Sequence, residues 1–119
     1  MLDTMDSASR IRTLHNPDAR QFEVRDGESV IGKAEYLDTS DGTQRIFFHT
    51  EVDEAYAGQG LAMRLAETAL DTTVAQARRI VPVCPFIAGY VKKHQRYAPD
   101  VDQPTEEHVH AVRAATRAN

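Results

Sequence analysis

Apolar and polar residues alternate in two different rhythms along this 119-residue chain, and the rhythm changes at Gly60. Before it the period is two. Gln21-Phe22-Glu23-Val24-Arg25 alternates as a half-buried strand does, and Asp26-Gly27 follows as a reversal signal. Ser29 to Leu37 predicts a second strand through Val30, Ile31, Ala34, Tyr36 and Leu37, ended by Asp41-Gly42. Arg45 to Val52 (RIFFHTEV) is rich in aromatic and β-branched residues and predicts a third, with Phe47 and Phe48 in the sheet core. Three strands joined by two Asp-Gly turns make an antiparallel meander. Residues 1–9 are polar and aperiodic, and are expected to form a flexible tail.

After Gly60 the period lengthens. Leu61, Leu65, Ala69, Leu70, Val74 and Ala77 recur every three or four residues, with Arg64, Glu67, Asp71 and Arg78 between them. This predicts an amphipathic helix of about five turns. Ile80-Val81-Pro82-Val83 is too short for a helix and reads as a strand lying parallel to the one before the helix. Phe86 to His94 predicts a second helix, with Pro85 ahead of it where a missing N–H costs little. A last helix is expected between Asp102 and Arg117. The implied fold is α/β (α+β): an antiparallel meander, then a parallel strand pair, with flanking helices. Residues 10–101 would form the domain and 102–119 a helical extension.

Composition excludes several classes. Hydrophobic residues make up 41% and charged residues 27%, a globular mix rather than a disordered one. No apolar run approaches the ~18–20 residues that span a bilayer, and Asp3 and Asp6 with no apolar stretch argue against a secretory signal. The net charge of −4, without a dense basic cluster, argues against nucleic acid. One cysteine, Cys84, permits no internal disulfide and fits a reducing compartment, so cytoplasm is the expected location. His108 and His110 stand two apart, and with no second cysteine they predict no metal site.

The candidate chemistry sits in the loop between the third strand and the long helix, Asp53 to Ala62. Gly58 and Gly60 allow positive φ and leave the first N–H groups of the helix without side-chain cover. Such a terminus, with its partial positive charge, binds phosphate through backbone alone. A glycine pair that merely shapes a turn is the plainer reading of these residues taken by themselves. A Walker loop is excluded because no Lys follows Gly60, and Met63 stands where a dinucleotide fingerprint needs its third glycine.

Taken in order, His49-Thr50-Glu51-Val52, Gly58-Gln59-Gly60-Leu61-Ala62, Val81-Pro82-Val83-Cys84-Pro85-Phe86 and His94-Gln95-Arg96-Tyr97 resemble a minimal, roughly hundred-residue branch of the GNAT N-acetyltransferase superfamily, over Leu14 to Val101. The resemblance implies a sheet whose two parallel strands splay apart to admit acetyl-coenzyme A. It implies backbone contacts from Thr50 and Val52 to the pantetheine arm. Gly58, Gln59, Gly60, Leu61, Ala62 and Met63 would cradle the pyrophosphate, and Tyr90 and Lys93 would flank the cofactor. Ala57 stands where the superfamily carries Arg or Gln, which removes one side chain but no backbone donor.

Acetyl transfer to an amine would draw on Cys84, His49 and Glu51. Cys84 closes the second parallel strand and could accept acetyl or protonate the departing thiolate; the plainer reading is a small buried hydrophobe. His49 and Glu51, two apart on a strand, share a face and read as acid–base groups, against a core histidine and a solvated carboxylate. The acceptor would be an amine-bearing small molecule or a peptide, and the protein a monomer or homodimer. The rival functions are a non-catalytic coenzyme A or acyl-CoA-binding regulatory module and a purely structural domain.

Overall fold

A computed structural model describes residues 10–117. It contains five strands: β1 (Ile11–Asn16), β2 (Gln21–Asp26), β3 (Ser29–Asp38), β4 (Gln44–Val52) and β5 (Arg79–Pro82). Three helices accompany them: α1 (Leu61–Ala75), α2 (Pro85–Lys93) and α3 (Glu106–Arg117). The strands lie in chain order in one sheet, antiparallel from β1 to β4 and parallel between β4 and β5. The expected tail over residues 1–9 lies outside the described residues.

The meander carries one strand more than the sequence pattern predicts. On β1 the positions facing the core, Ile11, Thr13 and His15, include two polar residues, so the alternation is masked. Both find partners: Thr13 Oγ1 lies 2.8 Å from Thr68 Oγ1 on α1, and His15 Nε2 lies 2.6 Å from Tyr36 Oη. His15 also stacks on Phe22, with centroids 4.1 Å apart. Burial, joined by the nearby Arg45 guanidinium, holds the imidazole below its ordinary pKa, so the ring sits there neutral.

Leu61, Leu65, Ala66, Ala69 and Leu70 bury one stripe of α1 against the sheet. Cys84, Ile87, Tyr90, Val91 and Tyr97 extend that core along α2 and the turn after it. Arg45 is 2% exposed within it. Its guanidinium takes both Asp38 oxygens at 2.8 and 3.1 Å, reaches Gln76 at 2.8 Å and lies 4.2 Å from the Tyr36 ring centroid. A buried charge is tolerated only when so completely partnered.

The other face carries a different group of residues. A register shift near Phe48 leaves it without a β3 partner, between the Tyr36–Phe47 and Glu35–His49 pairs. Phe47 is fully buried, whereas Phe48 is only half-buried, a correction to the expectation that both fill the core. Phe48 lines one cavity with Ala115 and Thr116 near the end of α3. That helix begins with Thr105 accepting the His108 N–H while His108 Nδ1 accepts the Thr105 N–H. His108 Nε2 must then carry the proton, and donates to Gln44 Oε1 of β4 at 2.9 Å. Gln44 Nε2 continues to Asp102, which also takes Arg79 of β5.

Candidate functional site

β4 and β5 pair only from Gln44–Arg79 to Phe47–Pro82. One further bond, from the Cys84 N–H to the Phe47 carbonyl at 2.8 Å, closes the contact before the chain turns into α2. Beyond Phe47, β4 runs on to Val52 with β3 as its ladder partner and an open edge toward α2. The Asp53 N–H donates to the Ile31 carbonyl at 2.7 Å. Counting back in steps of two, Glu51 and His49 turn their backbone groups to β3, while Thr50 and Val52 turn theirs to the open edge. Two N–H groups and two carbonyls therefore line the gap where the parallel strands part.

At the apex of the gap lies Cys84, 5% exposed, its Sγ 3.5 Å from Thr50 Oγ1. Pro85 opens α2 directly after it. His49 and Glu51 occupy the opposite face of the same strand, because side chains alternate and the register from His49 to Val52 is unbroken. They meet each other: His49 Nε2 lies 2.7 Å from Glu51 Oε1, both largely exposed. The His49 hydrogen bond holds the Glu51 carboxyl below its ordinary range. Thus the three acid–base candidates do not form one cluster. Cys84 joins Thr50 on the helical face, and the His49–Glu51 pair sits across the strand.

The glycine loop continues from the open edge. Asp53 Oδ1 accepts the Ala55 N–H, and a single 3-10 turn over Glu54–Tyr56 brings the chain to Gly58 and Gly60, with φ of +84° and +71°. Gly60 caps α1 without any side-chain hydrogen bond, and no acidic residue occupies the first turn. A shallow depression lies there, lined by Val52, Tyr56, Gly58, Gly60, Ala62 and Met63 among others. Leu61 is buried beneath it, Met63 is exposed and Gln59 is open to solvent. The first-turn N–H groups, unclaimed by side chains, are free to donate to the oxygens of a diphosphate.

Tyr90 and Lys93 differ in placement. Tyr90 is buried, stacks on His94 at 4.0 Å, and has its hydroxyl pKa pushed up by burial. Lys93 is exposed at the end of α2. A tether that the sequence reading missed is the bond from Tyr56 Oη to Asp26 Oδ2 at 2.5 Å, which fixes the loop to the β2–β3 turn. No local pattern links residues thirty apart. Among the described residues no group of three or more His, Cys, Asp or Glu is placed to hold a metal, and no helix is long and apolar enough to cross a membrane.

Comparison with known proteins agrees with this geometry. The family model described as GCN5-related N-acetyl-transferase matches residues 21–101. Protein NATD1 of Xenopus tropicalis is 36% identical over 98 residues, covering 79% of this chain and 86% of that protein. Protein NATD1 of Homo sapiens is 34% identical over 97 residues, covering 78% and 82%. The NMR structure of a GCN5-like protein from Staphylococcus aureus superposes with a TM-score of 0.62 at 18% identity, over 82% of this chain and 93% of that one, a likeness of fold.

Proposed function

The chain belongs to the GCN5-related N-acetyltransferase family, and from that premise we propose that it binds acetyl-coenzyme A and transfers the acetyl group to an amine. The observation that carries the reading is the capless, glycine-flanked start of α1 set beside the open edge of β4. Gly58 through Met63 would hold the pyrophosphate with backbone N–H groups, and the pantetheine arm would pair with Thr50 and Val52 as an added strand does. The thioester then reaches the apex near Cys84.

Chemically, the nitrogen lone pair of a neutral amine attacks the thioester carbonyl carbon. The C–S bond breaks, the amine loses one proton, and coenzyme A leaves as a thiol after gaining one. An N–H at the open edge, that of Val52 foremost, would stabilise the tetrahedral oxyanion, a contact often worth about 3 kcal/mol. His49, oriented by Glu51, would take the amine proton on the far face. Cys84, hydrogen-bonded to Thr50, would return a proton to the departing thiolate or carry acetyl as a thioester before the amine arrives. Its reduced thiol suits a cytoplasmic setting.

Acetyl-CoA turnover over an amine panel, with mass spectrometry of the protein, tests the reading. We expect amide product from the wild type and at least a tenfold loss in kcat for His49→Ala. An acetyl adduct on Cys84 that discharges when amine is added favours the covalent route. Full activity in Cys84→Ser removes that residue from the chemistry. A second reading, a non-catalytic coenzyme A-binding module, draws on Ala57, which leaves the loop without the Arg or Gln side chain. It predicts tight binding with no amide formed.

A further inference from the structure

The helix α3 lies outside the segment matched by the family, which ends at residue 101, yet it folds back across the sheet face that carries His49 and Glu51. His108 near its start docks on Gln44, and Ala115 and Thr116 near its end line one cavity with Phe48 and the β1–β2 turn. The half-buried positions His108, Val109, Ala111, Val112 and Ala115 form the stripe that faces β4. Between the end of α3 and that turn a cavity of about 260 Å³ remains, lined chiefly by Asp18, Arg20, Glu35, Leu37 and Phe48.

Three features give this cavity a chemistry. Glu35, which lines the cavity, is the register partner of His49 on one side and of Gln21 on the other, so one row of the sheet leads from the cavity to the His49–Glu51 pair just outside it. That row spans two strand spacings, about 10 Å. At its far end Arg20 is exposed, and among the described residues no carboxylate lies within ion-pair distance of it. Arg20 also holds φ at +56°, a region that non-glycine residues seldom occupy, fixed by a bond from the Tyr36 N–H to its carbonyl. Finally, the volume lies below the ~300–1,000 Å³ of ordinary drug-sized pockets, which suits a small molecule rather than a folded partner.

We propose that this cavity is the acceptor subsite, and that the acceptor is a small chain-like amine bearing a carboxylate at its far end. The carboxylate pairs with Arg20, the chain lies over Leu37 and Phe48, and the amine passes Glu35 toward His49. The proposal rests on the acetyltransferase reading and adds the acceptor class to it. The residues beyond the family-matched segment would then set what this particular chain acetylates.

The test uses the full-length protein and three probes of similar length: 5-aminopentanoate, pentylamine and cadaverine. Calorimetry with acetyl-CoA and turnover over the broad amine panel are run first, so that loss of cofactor binding or of all amide formation, which overturns the acetyltransferase reading and this inference together, is distinguished from a wrong acceptor. With binding present, KM for 5-aminopentanoate should be at least tenfold below those of the other two. Arg20→Gln should raise that KM tenfold or more, leave kcat and the KM for pentylamine within twofold, and leave acetyl-CoA affinity unchanged. Arg20→Lys should restore most of the loss. Cadaverine or pentylamine equal to or better than 5-aminopentanoate, no turnover of any probe, or an Arg20→Gln effect equal on all three would overturn the assignment.

Discussion

At the residue scale, the proposed grip on the cofactor falls to backbone atoms, and the residues of the glycine loop decide where those atoms point. Gly60 illustrates this. Its φ of +71° is one that L-residues adopt at a cost, yet a Cβ placed there would meet nothing within 4 Å. Gly60→Ala should therefore cost only about 1 kcal/mol, all of it backbone, read as a small shift in the urea midpoint. The same change should weaken acetyl-CoA binding severalfold by calorimetry, because a side-chain-bearing residue relaxes from the positive φ that aims the first-turn N–H groups at the proposed phosphate site. The loop charge works in the opposite direction: Asp53 and Glu54 stand close to the proposed anion site. Asp53 is already occupied in capping Ala55, and the dipole of the 15-residue α1 opposes both carboxylates.

At the scale of elements, the docking of α3 depends on one tautomer of one histidine. His108 accepts from Thr105 through Nδ1 and donates to Gln44 through Nε2, so its removal should loosen the helix without touching the glycine loop. His108→Ala should cost about 1 kcal/mol, appear as faster amide exchange confined to α3, and leave acetyl-CoA affinity intact. The sequence predicts most of these elements because their periods are strong: α1 departs from its predicted span by two or three residues at its end, and α2 by one at each end. It misses β1, whose core face carries Thr13 and His15, polar groups that become acceptable only once α1 and Tyr36 supply partners. The shared face of His49 and Glu51 is legible from their spacing. The pairing of Cys84 with Thr50 is not, because it depends on where β5 parts from β4, a matter of tertiary geometry. The same holds for Tyr56 and Asp26, and for the end of α3 over Phe48.

At the scale of the whole molecule, the sheet separates two groups of candidate residues: a helical face with Cys84 and the glycine loop, and an open face with His49, Glu51 and the α3 cavity. The open face is braced by Glu23, 2% exposed. Burial pushes its pKa up, but bonds from Gln21, Asn16 and Arg25 outweigh that and leave it below its ordinary value. A carboxylate depressed in the folded state adds stability above its unfolded pKa and loses it as pH falls through the folded one. The stability gap between wild type and Glu23→Gln, measured by urea midpoints, should thus be widest near neutrality and shrink below about pH 4. The most direct test of the account is an amide-resolved NMR titration with acetyl-CoA. The account predicts that the largest shifts fall on Gly58 to Met63 and on Thr50 and Val52, with α3 amides nearly still. Binding with those eight amides unmoved, or no binding at saturating acetyl-CoA, would contradict it.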